Sequence, residues 1–167
     1  KYNVKKLINL GSACIYPKKT EQPIKESALL SSYLEETNEG YALAKIISLK
    51  YSQHLKKKYK KEFISLMPAN LYGRGDNFDL KSSHVLPALV KKFTLAKIKN
   101  TPHVEVWGSG KVKRKYLNVE DLSSAIYFLI KKKKKNDFIN IGGGEHFSIK
   151  MIANMIKKIT NYKGKVV

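Results

Sequence analysis

Tyr41 and Lys45 stand four residues apart in Tyr41-Ala42-Leu43-Ala44-Lys45. On a helix that spacing puts both on one face. A lysine ammonium beside a phenol favours the phenolate, so such a pair can pass a proton to or from a carbonyl or alcohol oxygen near neutral pH. Alone the signal is weak, because a chain with 10 tyrosines and 31 lysines makes such pairs on its surface by composition. Ser12 and Cys14 change the weighing. They follow an apolar run that ends at Gly11, and they precede Tyr41 by some thirty residues.

Those side chains need elements to hold them. Residues 4–10 read as a buried strand that opens at Gly11 into a loop. From Ser12 to about Asn38, with Pro17 and Pro23, the chain reads as mostly irregular. Leu43, Ile46, Ile47, Tyr51 and Leu55 return at helical spacing and predict a helix over 41–60. A strand follows at 63–68, then a loop at 70–79 rich in Gly, Asn and Asp. Ser82 or Ser83 can cap a helix over 84–97. Strands are expected at 104–107 and 114–119, a helix at 121–133, and a strand at 138–141 entering the Gly142-Gly143-Gly144 turn. A final amphipathic helix is expected over 148–159. This alternation predicts an α/β fold with a parallel sheet and crossover helices, with ligands at the carboxyl ends of the strands. The informative loops then follow Leu10 and Pro68.

Composition excludes whole function classes. At 43% hydrophobic residues the chain can bury a core, and no apolar run approaches the roughly 20 residues a membrane helix needs. The single cysteine, Cys14, excludes an internal disulfide framework and favours a reducing compartment. A formal charge of +20 invites a nucleic-acid reading, but Arg74 and Arg114 are the only arginines. Nucleic-acid readers spend arginine on phosphate forks and base edges. The lysine runs at 56–61 and 131–135 fall where predicted helices end, and the helix dipole favours cations there.

Further motifs narrow the reading. Gly11-Ser12-Ala13-Cys14-Ile15-Tyr16-Pro17 is followed by Tyr41-Ala42-Leu43-Ala44-Lys45, the order found in extended short-chain dehydrogenases. Met67-Pro68-Ala69-Asn70-Leu71-Tyr72-Gly73, Asn77-Phe78, Ser83-His84-Val85-Leu86-Pro87 and Val106-Trp107-Gly108-Ser109-Gly110 complete the set. Together these motifs resemble the GDP-L-fucose synthase family over essentially all 167 residues. The resemblance implies a Rossmann-like doubly wound parallel sheet with a smaller α/β substrate-binding lobe. Residues 1–102 would be the later part of the dinucleotide domain and 103–167 part of the lobe, with strands able to return to the sheet. It implies 3,5-epimerisation and NADPH-dependent 4-reduction of GDP-4-keto-6-deoxy-D-mannose. Cys14 is then the base, His84 the acid on the other ring face, and Ser12 and Tyr41 the partners of the ketone oxygen. Lys45 tunes Tyr41 and holds the cofactor ribose. Leu10, Gly11, Ser12, Ala13, Tyr41, Lys45, Pro68, Ala69, Asn70, Leu71 and His84 are the NADP(H)-binding positions. Lys92, Trp107 and Arg114 hold the GDP-sugar. No metal, nucleic acid or membrane is expected as a partner. A cytoplasmic homodimer is.

Three positions depart from the family pattern. Ala13 replaces a second serine, Asn118 stands where histidine is common, and Arg74 occupies a loop position that is often proline. No Gly-x-Gly-x-x-Gly occurs in the chain, although the family's dinucleotide turn requires one. With Lys1 in place of an initiator Met, the chain reads as the middle and later portion of a longer enzyme, incomplete at both ends. Two alternatives stay open: another nucleotide-sugar epimerase or dehydratase of the same fold, and a basic nucleic-acid-binding module.

Overall fold

The computed structural model describes residues 4–132 and 136–167, so part of the 131–135 lysine run and the predicted helix end at residue 133 lie outside the described residues. In chain order the elements are β1 (Lys6–Leu10), α1 (Glu39–Tyr59), β2 (Glu62–Pro68), β3 (Asn70–Tyr72), α2 (Val85–Ile98) and β4 (His103–Val104). They continue with β5 (Lys113–Asn118), α3 (Val119–Lys131), β6 (Phe138–Ile141), β7 (His146–Ser148), α4 (Ile149–Ile159) and β8 (Lys165–Val166). Two compact units result, one of Lys1–Leu71 with Leu117–Gly143, the other of Tyr72–Tyr116 with Gly144–Val167. Residues 103–167 thus contribute to both, and β6 lies in the sheet of the first.

In the first unit β2 is the middle strand of a parallel sheet ordered β1-β2-β6. Leu10 lies opposite Leu66, and Pro68 opposite Ile141. Residues 64–68 are buried throughout, as a central parallel strand covered on both faces must be. Side chains alternate across a strand, so neighbouring residues of β2 serve different layers. Met67 joins Ile46 and Leu49 of α1 with Ile15 and Tyr16, whereas Ile64 and Leu66 join Leu129 of α3.

α1 corrects the sequence reading in an instructive way. Its buried residues are Ala42, Ile46, Leu49 and Ser52. Leu43, Ile47 and Tyr51, three of the apolar residues that signalled the helix, are exposed. Small side chains at both ends of the buried stripe let the helix lie close to the sheet. At its end Lys60 adopts a left-handed cap (φ 54°), with Lys56, Lys57 and Lys58 in the last turn.

The second unit has its own core. Leu89, Phe93 and Ala96 of α2 pack on Ile152, Ala153 and Ile156 of α4, closed by Val104 and Tyr162. Phe93 and Tyr162 meet edge to face at 5.7 Å, and the Tyr162 hydroxyl donates to the Thr101 carbonyl at 2.7 Å. β5 and β7 pair antiparallel, so pairing here is not purely parallel, whereas β4 and β8 pair in parallel.

Several boundaries differ from expectation for local reasons. The serines do not cap α2. The Ser82 and Ser83 amides both donate to Asp79, closing a turn, and the helix starts one residue later with His84 at its N-cap. Asp79 is held below the usual carboxylate range, chiefly by the Lys81 amide. β4 stops at Val104, so Trp107 lies beyond the strand, and β3 forms at the start of what reads as a loop. β7 intervenes between the glycine turn and α4, whose N-cap Ser148 accepts from the Met151 amide. Asn118 has a plain structural role: its side chain caps α3 by accepting from the Glu120 amide at 2.8 Å.

Gly11 is fixed by close approach. Its amide donates to the Leu66 carbonyl at 2.8 Å, and a methyl group added there would fall on the sulfur of the buried Met67. Gly11→Ala should therefore cost about 1–3 kcal/mol of stability, the usual range for overpacking. Urea unfolding of the two proteins measures it, and an unchanged midpoint would show that Met67 can move aside.

Candidate active site

The sheet brings four of the proposed groups into the first unit. Gly11 follows β1, and Ser12 caps a single turn at Ala13–Ile15, its hydroxyl oxygen accepting from the Cys14 amide at 3.2 Å. Cys14, in the middle of that turn, is half-buried and carries a free thiol. The turn packs on α1, because Ile15 and Tyr16 share a cluster with Ile46 and Leu49.

Tyr41 and Lys45 lie in the first two turns of α1. The Lys45 ammonium is 5.6 Å from the centre of the Tyr41 ring and donates to the Leu10 carbonyl at 3.0 Å. A cation is thus held beside the phenol at the carboxyl end of β1. Tyr41 is 52% exposed. Pro68 closes β2, the Ala69 amide donates to the Ile141 carbonyl at 2.9 Å, and Asn70 and Leu71 are exposed.

One anchoring residue escaped the sequence reading. Asn9 donates to the Ser65 hydroxyl at 3.0 Å and accepts from the Ser48 hydroxyl at 3.0 Å. It joins β1 and β2 to the helix that carries Tyr41 and Lys45. The available signal was an amide side chain between the apolar Ile8 and Leu10, where a polar group taken from water needs partners.

The remaining candidates belong to the second unit. His84 is exposed at the start of α2. Trp107 is 76% exposed, an unusual state for the largest apolar side chain. It is followed by Gly108 and Gly110, both with positive φ (79° and 67°), which turn the chain sharply back. The Lys92 ammonium lies 4.6 Å from the centre of a Trp107 ring and donates to the Glu105 carbonyl at 3.1 Å. Arg114 is exposed on β5. An indole steadied on one face by a cation, with its surface open, is suited to stack on a planar ligand. Among the described residues no group of His, Cys, Asp and Glu could hold a metal ion, and no helix is long and apolar enough to cross a membrane.

Trp107 is the only tryptophan in the sequence, so its emission reports on this contact. Lys92→Met should lower the fluorescence anisotropy of Trp107, whereas Lys92→Arg, which keeps a cation over the ring, should preserve it. A Trp107→Phe control isolates the signal. Unchanged anisotropy in the methionine variant would mean the ammonium does not steady the indole.

Comparison with known proteins finds relatives along nearly the whole chain. The curated GDP-L-fucose synthase of Sinorhizobium fredii is 49% identical over 164 residues, covering 98% of this chain and 52% of that protein. The GDP-L-colitose synthase of Yersinia pseudotuberculosis is 40% identical over 167 residues, covering 99% of this chain and 54% of that protein. A crystal structure of a GDP-L-fucose synthetase from Naegleria fowleri bound to NADP superposes with a TM-score of 0.90 at 32% identity. That match covers 98% of this chain and 51% of that one. The chain spans about half the length of the curated relatives it matches. Residues 1–142 match the family described as NAD dependent epimerase/dehydratase. With the parallel β1-β2-β6 sheet, the helix bearing Tyr41 and Lys45 and that match over most of its length, the chain belongs to the NAD dependent epimerase/dehydratase family.

Proposed function

We propose that the protein epimerises a GDP-linked 4-keto-6-deoxymannose at its third and fifth ring carbons and reduces the ketone to give GDP-L-fucose. The observation that carries this reading is Lys45 fixed between Tyr41 and the Leu10 carbonyl, beside a turn bearing Ser12 and Cys14. The similarity to the Sinorhizobium fredii protein supports the choice of sugar.

The cofactor in this reading is NADP(H). The residues present fit its nicotinamide-ribose end: Lys45 and Tyr41 offer donors for ribose hydroxyls. Gly11 brings backbone close without a side chain, with Leu10, Ala13 and the 68–71 segment in the same unit; His84 is a further cofactor-binding position in this reading. Held there, NADPH would supply the hydride that reduces the ketone carbon. No glycine-rich pyrophosphate turn occurs in these 167 residues.

A ketone acidifies the carbons beside it, so proton exchange there needs a base, an acid and a partner for the oxygen. Cys14, as thiolate, removes the ring proton, and the electrons pass into an enolate whose oxygen accepts from Ser12 and Tyr41. His84 returns a proton to the opposite face. When the ketone is reduced, Tyr41 protonates the new alkoxide and Lys45 stabilises the phenolate left behind. Lys92, Trp107 and Arg114 bind the GDP end. The protein works in the cytoplasm as a homodimer, and the exposed Leu43, Ile47 and Tyr51 stripe of α1 supports pairing with a second copy.

A second reading keeps the fold and changes the sugar. The similarity to a GDP-L-colitose synthase favours another GDP-linked keto sugar as the substrate to compare.

Tyr41→Phe should lower ketone reduction at least about 100-fold, the usual loss for a missing general acid. Steady-state NADPH oxidation by the full-length protein measures it, and wild-type kinetics would remove Tyr41 from the mechanism. Cys14→Ala should stop solvent deuterium entering the third and fifth ring positions in the absence of cofactor. Normal exchange and normal GDP-L-fucose formation in that variant would make Cys14 a packing residue.

A further inference from the structure

Cys14 sits on a very short segment between two anchors. One is the Gly11 amide on the Leu66 carbonyl. The other is Tyr16, two residues beyond the thiol, only 5% exposed, whose phenol donates to the Asn140 side-chain oxygen on β6. Asn140 has no freedom to turn away. Its side-chain nitrogen donates to the Ile24 carbonyl at 3.0 Å, and its backbone amide donates to a Glu26 carboxylate oxygen at 2.9 Å. With the nitrogen engaged by a carbonyl, the oxygen must face Tyr16.

We propose that Asn140 is a positioning residue: through Tyr16 it holds the Ser12–Cys14 turn in place, so that proton removal at Cys14 depends on it more than the Tyr41 step does. The inference rests on the reading of Cys14 as the base. Tyr41 and Lys45 have separate anchors, because Ser48 bonds to Asn9 and Lys45 bonds to Leu10. Releasing Tyr16 therefore loosens one side of the site and leaves the other tied to β1. Burial pushes the Tyr16 phenol up to about 12, so it remains a donor to Asn140 across the neutral range. The position also explains an amide in the middle of the apolar run Phe138-Ile139-Asn140-Ile141.

The test compares two rates in the full-length protein. One is cofactor-free deuterium exchange into the GDP-linked keto sugar, which needs Cys14. The other is oxidation of GDP-L-fucose by NADP, which needs Tyr41 and not the base. Asn140→Leu, matched in size, should slow exchange by about tenfold or more, the order expected when a small displacement misaligns reacting groups. Oxidation should fall by less than about threefold, since its own anchors persist. Tyr16→Phe should move both rates in the same sense and carries the test if the leucine variant fails to fold. Iodoacetamide should alkylate Cys14 several-fold faster in both variants. Wild-type exchange, or equal losses of exchange and oxidation, would overturn the proposal. Cys14→Ala run alongside separates the two ideas: normal exchange in that variant removes Cys14 as base, and unchanged alkylation in the Asn140 and Tyr16 variants then removes the clamp as well.

Discussion

A buried hydroxyl on the central strand sets the constraint on which the site depends. Ser65 is fully buried on β2, where an unpaired hydroxyl would cost about 1–3 kcal/mol. Asn9 on the neighbouring strand satisfies it, and the other end of the same amide accepts from Ser48 on α1. An amide with one donor end and one acceptor end makes this a directional lock between β1, β2 and α1. Sliding α1 by one turn, about 5.4 Å, would break the Ser48 bond and carry Lys45 away from the Leu10 carbonyl. Apolar packing by Ile46 and Leu49 holds the helix down. The polar node holds it in register. Register is what places Tyr41 and its ammonium partner at the end of β1.

The sequence pattern reveals the frame of the first unit well, and its limits have identifiable causes. β1, α1, β2 and β6 lie within a few residues of their predicted spans because each is long or strongly apolar for its length. The face of α1 was not legible in the same way. Hydrophobic spacing finds a helix from any apolar stripe, and α1 has two: Ala42, Ile46, Leu49 and Ser52 inward, Leu43, Ile47 and Tyr51 outward. Only the sheet decides between them. β7 and β8 were invisible for a different reason. Each is two or three residues long and exists because a distant strand accepts it, Phe147 opposite Arg114 and Val166 opposite Val104. No local period encodes such a pairing.

The site divides along the same line. Tyr41 and Lys45 announce themselves by helical spacing, and Ser12 and Cys14 by their place after a strand. Asn9 and Asn140 carry no reactive chemistry and no motif, so they are apparent only once their partners are known. Both are amides with apolar neighbours on either side in their strands, and each uses its donor and acceptor ends on different segments. A polar residue that breaks an apolar strand is therefore a better pointer to the site's supports than any surface charge.

The charge itself follows a different logic. Lysines dominate the basic residues, and ion pairs such as Lys6 to Glu62, Lys18 to Glu35 and Lys56 to Asp137 lie at exposed or half-buried positions. Such pairs contribute little individually. Among the described residues, Lys45 and Lys92 have nitrogens committed to a backbone carbonyl and to an aromatic ring at once: Lys45 to Leu10 and Tyr41, and Lys92 to Glu105 and Trp107. A carbonyl that receives the ammonium restricts where the cation can sit, and the ring beside it then experiences a fixed field instead of a time-averaged one. For Tyr41 that field acts on the phenol ring at the end of β1. For Trp107 it steadies an exposed indole. The same residue type, spread over the surface as a solvated cation, becomes a fixed local charge where backbone geometry removes its freedom.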